Sequence, residues 1–169
     1  MKPKIKERIE KLNSLREAYR SELVNTFQST LQYAAQEIFE ADPGVKGISW
    51  VQYTPYFNDG DPCTFGVGTP NLCFSWDDAE ANNAVLSIKS KFNHESENFA
   101  VCYISRSSLA RLATLEQQAR FRKLVDLRDE FNTVFETYQD AAAEVFGDGY
   151  RVTITPAGGG FIVQEHSHD

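Results

Sequence analysis

The chain has 169 residues, a formal net charge of −7, 41% hydrophobic residues and 12 Phe, 7 Tyr and 2 Trp, enough apolar matter for one core without a metal or disulfide staple. It has no run of about 18 apolar residues, which excludes a membrane-spanning helix. The charged start MKPKIKERIEKL lacks the apolar stretch of a secretory signal, so the expected compartment is the cytoplasm. The charge is unevenly spread: the first 20 residues carry seven Lys/Arg and three Glu, or +4, leaving −11 for the remainder. An acidic chain repels nucleic acid in general, yet a local basic arm still finds phosphate.

The first element is a helix from about Pro3 to Glu40. Ile5, Ile9, Leu12, Leu15, Tyr19, Leu23, Phe27, Leu31, Ala34 and Ile38 recur at a helical spacing, and Asp42-Pro43-Gly44 stops the pattern. Its lysines lie at the start and Glu37 and Glu40 at the end, against the helix dipole, so packing or a partner must hold it. GISWVQYTPYF then reads as a strand that Pro55 confines to an edge or a bulge. Asp59-Gly60 turns the chain into the returning strand CTFGVG, and LCFSW continues it or forms another. DDAEANN fits a short capped helix, and AVLSIKSKF fits strand and helix equally. HESEN is a loop and FAVCYIS a strand.

A second long helix covers about Ser107 to Phe146. Thr114 with Gln117 forms an internal capping box, so a break is expected near Ala113. From Phe121 its stripe is Leu124, Leu127, Phe131, Val134, Tyr138, Ala141 and Val145, with a mean step of about 3.4, nearer the heptad value than the helical one. Gly147-Asp148-Gly149 ends it, and YRVTITP with GGFIVQEH makes a second hairpin.

AAQEIFEADPG (34–44) and AAAEVFGDG (141–149) are alike, each following a long helix and preceding a strand and a Thr-Pro. The reading is a helix-plus-hairpin unit used twice, residues 1–68 and 107–165, with 69–106 inserted, all within a single domain, 1–169. The fold class is therefore α+β: two long amphipathic helices packed on an antiparallel sheet built from hairpins. A helix of some 35 residues is roughly 50 Å long, and strands of about 20 Å cannot cover it. The free ends are expected to project as a two-helix stalk or to pair with a second copy, a homodimer through the long helices.

Chemistry is sparsely signalled. No G-x-S-x-G occurs, and a Cys102–His94 dyad has no local support. Asn58-Asp59-Gly60-Asp61 lacks the Glu that a calcium loop needs, since Gly66 stands there, so it is a turn. His166 and His168 alternate in a polar tail that either frays or holds a metal. Gly158, Gly159 and Gly160 have no phosphate-loop lysine after them. Cys63, Cys73 and Cys102 read as small buried hydrophobes, with a Cys63–Cys73 bridge left open. No cofactor is called for.

The excess of aromatic residues points instead to a binding surface. Trp50, Tyr56 and Trp76, with Asp59 and Asp61 beside the turn, are the candidate partner-binding residues of a non-enzymatic interaction module. The alternative is a nucleic-acid-associated protein using Lys2, Lys4, Lys6 and Arg8 of the basic first helix, or an acidic mimic of DNA. SWVQYTPYFNDGDPCTFGV (49–67) resembles a segment of uncharacterised small proteins of tailed bacteriophages and bacteria. That resemblance implies an accessory protein that binds and redirects a host protein, and it assigns no site residue.

Overall fold

The computed structural model describes residues 3–55, 62–75, 87–94, 97–112, 114–156 and 160–166. Two antiparallel helices, α1 (Pro3–Ala41) and α2 (Leu115–Phe146), cover one face of an antiparallel sheet. The sheet comprises β1 (Val45–Tyr53), β2 (Gly66–Val67), β3 (Asn71–Ser75), β4 (Ser87–His94), β5 (Glu97–Tyr103), β6 (Tyr150–Ile154) and β7 (Phe161–Glu165). The strand order is β4-β5-β3-β1-β6-β7, with β2 also paired to β1. This is the α+β architecture expected from the sequence.

The first helix runs where its stripe places it. It ends as Asp42 turns its N–H to the Ile38 carbonyl (3.1 Å) and accepts the Gly44 N–H at its own carboxylate (2.8 Å). The same carboxylate receives Arg120 of α2 at 2.5 and 3.1 Å, which ties the C-terminal end of α1 to the N-terminal end of α2. The capping signal at Thr114 is real: its hydroxyl accepts the Gln117 N–H at 3.1 Å and α2 begins at Leu115. Before it stands a separate 3-10 turn, Arg106–Arg111. Arg106 bridges Asp126 and Asp129 of α2, and buried Arg128 holds Asp129 and the Ile104 carbonyl, so ion pairs fasten the turn to the helix.

The heptad spacing of α2 is kept on its buried face, where Phe121, Arg128, Phe135 and Ala142 recur at one set of positions and Leu124 and Phe131 at the other, and it fails at Tyr138. The buried residues of α2 are Phe121, Leu124, Val125, Arg128, Phe131, Phe135, Ala141, Ala142 and Phe146. Tyr138, counted into the stripe by spacing, is exposed and has non-helical torsions (φ −131°, ψ 44°). Thr133 and Thr137 each return a hydroxyl to the carbonyl four residues back just before this point, a bond that bends helices.

The strand reading is corrected in three places. β1 is central rather than an edge, flanked by β6 on one side and by β2 and β3 on the other, and it ends at Tyr53 before Pro55 can interrupt it. Strand pairing reaches into HESEN, where His94 pairs with Glu97, and SIKSKFNH is strand. Trp50, expected at the surface, is fully buried. Trp50, Gln52 and Ile48 alternate toward the helices, and the Trp50 ring packs on Phe131, Phe135, Phe146 and Phe161. Gln52 is buried beside it, accepting the Trp50 indole N–H (3.1 Å) and donating to the Ala142 carbonyl (3.0 Å) and the Gly147 carbonyl. One side chain thus joins the central strand to the end of α2. Gly147, at φ 83°, makes that helix end possible, since a Cβ there would stand 2.9 Å from the Tyr150 ring.

Candidate interaction surface

Of the residues singled out for partner binding, Trp50 belongs to the core, while Tyr56, Asp59, Asp61 and Trp76 lie outside the described residues. Lys4, Lys6 and Arg8 are exposed on α1, with Lys6 3.8 Å from Glu10, and Lys2 lies outside the described residues. The projecting element is one helix, not a pair. Arg20 of α1 forms an ion pair with Glu144 near the C-terminal end of α2, so α2 reaches no farther than about Arg20. Residues 4–19 of α1 extend beyond it, roughly 24 Å of helix.

That extension carries the first half of the apolar stripe into solvent. Ile5 is 49% exposed, Ile9 42%, Leu12 66%, Leu15 57% and Tyr19 69%. Lone exposed apolar residues are unremarkable, but five along one side of a helix form a contiguous patch. The second half of the same helix buries Phe27, Leu31, Ala35 and Ile38 against α2 and the sheet. At the junction lies a groove of about 410 Å³ between the helices, with walls from Tyr19, Leu23, Phe27, Val134 and Tyr138 and with Glu22 among its lining. At 100° per residue, Ile5, Leu12 and Tyr19 share the side of α1 on which Leu23, Thr26 and Thr30 line the groove. Stripe and groove are therefore one apolar track, and the bend at Tyr138 forms part of its wall. Lys4, Arg8, Lys11 and Arg16 stand along or within the exposed part, giving it a basic border.

Sequence reasoning found the stripe and an overhang but did not separate the half of the stripe that packs from the half that projects. The signal that separates its halves is length: α1 has 39 residues and α2 has 32, and their ends are aligned at Asp42–Arg120.

Other candidate chemistries are not assembled. Cys102 lies in β5 opposite Ile88, and His94 is six residues along β4, about 20 Å away, so they form no dyad. Cys63, Cys73 and Cys102 are free thiols, Cys63 exposed and the other two buried. Burial, and next the neighbouring Cys102, push the Cys73 thiol far above its ordinary range. Among the described residues no group of three or more His, Cys, Asp or Glu could hold a metal ion, and His168 lies outside them. No helix among them is long and apolar enough to cross a membrane. Compared with protein-family models, curated proteins and solved structures, the chain matches none.

Proposed function

We propose that this protein is a non-enzymatic interaction module whose binding element is the N-terminal half of α1 together with the adjoining groove. The observation that carries the reading is the continuity of the exposed Ile5-Ile9-Leu12-Leu15-Tyr19 stripe with the groove at Leu23, Phe27, Val134 and Tyr138. An apolar track of this shape, bordered by cations, suits an amphipathic helix of opposite or mixed charge. A role as an accessory protein that redirects a host protein, as the bacteriophage resemblance implies, uses the same surface.

The test is capture of partners by the full chain with nuclease present, comparing wild type with Ile9→Ser/Leu12→Ser. Loss of a stoichiometric protein partner in the variant, with unchanged thermal unfolding, is the expected result. Undiminished capture would overturn the reading.

The exposed cations of α1 also support a second reading, contact with nucleic acid through Lys4, Lys6 and Arg8. Such binding weakens steeply with salt, and Gln at those positions would flatten the salt dependence. Binding through the apolar track responds little to either change.

A further inference from the structure

We infer that the occupant of the exposed α1 track is α1 of a second copy of this chain, laid antiparallel so that each N-terminal end seats in the other copy's groove. The inference deepens the reading above and rests on it.

The track is self-complementary. Its N-terminal end, Ile5 and Ile9, is apolar helix, and its other end, Tyr19 to Thr30, is a concave wall closed by Val134 and Tyr138. A two-fold axis pairs identical surfaces, so one contact between the two kinds of end is made twice. With the axis near Leu15, Leu12 faces the partner's Tyr19, and Ile5 and Ile9 reach the groove beside the partner's Leu23.

Charge selects the same arrangement. Lys11 and Glu22 lie on one edge of α1, only about 20° apart around its axis. In the antiparallel pair each Lys11 stands within one turn of the partner's Glu22, and Arg8 is nearly level with the same carboxylate. The first turn of α1 contains no acid, so no side chain of that turn offsets Lys4 or the positive end of the helix. The pairing carries that end toward Glu130, which is exposed one turn before Val134 on the groove side of α2. An anionic lipid surface would attract the cations, but it gains nothing from Glu22 or from the concave end of the track.

The experiment is sedimentation of the full chain over a range of concentrations. Wild type is expected to be a dimer. Lys11→Glu and Glu22→Lys are each expected to weaken it about tenfold, because the exposed contact is reversed at two symmetry-related places. Lys11→Glu/Glu22→Lys together restore it. Cross-linking with a short bis-maleimide, in Cys63→Ser, fixes the direction: Leu15→Cys joins copies and Ile5→Cys does not. A monomer at every concentration, a double variant weaker than both singles, or self-linkage of Ile5→Cys would each overturn the inference. If the chain is monomeric yet stripe variants lose capture of another protein, the inference fails and the interaction reading stands. If no capture is lost either, both fail. A monomer whose sedimentation with phosphatidylserine vesicles rises in Glu22→Lys assigns the track to lipid and overturns both.

Discussion

Ile9 and Phe27 stand about five turns apart on one line of α1, some 27 Å along its axis. Phe27 is 3% exposed and packs on the rings of Phe135 and Phe146, whereas Ile9 is 42% exposed. One helix face thus serves the core at one end and the surface at the other. Phe27→Ala should cost about 3–4 kcal/mol of folding stability, a loss of transfer energy plus a cavity. Ile9→Ser should stay within about 0.5 kcal/mol of wild type when the protein is dilute. Urea unfolding of the two variants checks both values.

Gln52 should be far more sensitive than a strand glutamine usually is. Replacing it by Leu leaves the Trp50 indole N–H and the Ala142 and Gly147 carbonyls without this partner in a dry site. The expected loss is about 2–3 kcal/mol. Equilibrium denaturation followed by Trp fluorescence measures it, and a change below about 0.5 kcal/mol would show that those groups find other partners.

The Asp42–Arg120 pair fixes the alignment from which the α1 extension follows. Asp42 is nearly buried and Arg120 is partly so, and the two contacts at 2.5 and 3.1 Å form a fork. Arg120→Met should cost about 2 kcal/mol, because the Asp42 carboxylate keeps only its Gly44 contact among those described above. A thermal shift in high salt should change the loss little, unlike that of an exposed pair.

The thiols should differ sharply in reactivity. Cys63 is exposed, whereas Cys73 is buried with its thiol held in the protonated form by that burial. A maleimide should label Cys63 in the native protein and all three cysteines after unfolding. Rapid native labelling of Cys73 would contradict its burial.

Much of this was legible in the chain. The stripe of α1, its stop at Asp42-Pro43-Gly44 and the cap at Thr114 were readable because each depends on neighbours in sequence. The alternation of Trp50 and Gln52 against Val51 and Tyr53 was equally readable, but not which side faces inward. That choice is made when α1 and α2 cover one face of the sheet, a contact between distant segments. Tyr138 misled for a related reason. Its spacing fits the stripe, and only the bend after Thr133 and Thr137 turns it outward. The binding surface itself was half visible: a helix too long for its sheet implied an overhang, while the alignment at Asp42 decided that α1 alone supplies it.

The most direct measurement is amide hydrogen exchange of residues 5–19 as a function of protein concentration. This segment lacks tertiary cover and carries charges that oppose its dipole, so alone it should fray and exchange quickly. The expected result is fast exchange in dilute protein and marked slowing as concentration rises, with Leu12→Glu remaining fast throughout. Equal, rapid exchange of wild type and Leu12→Glu at every concentration would contradict the assignment of this face to a second copy.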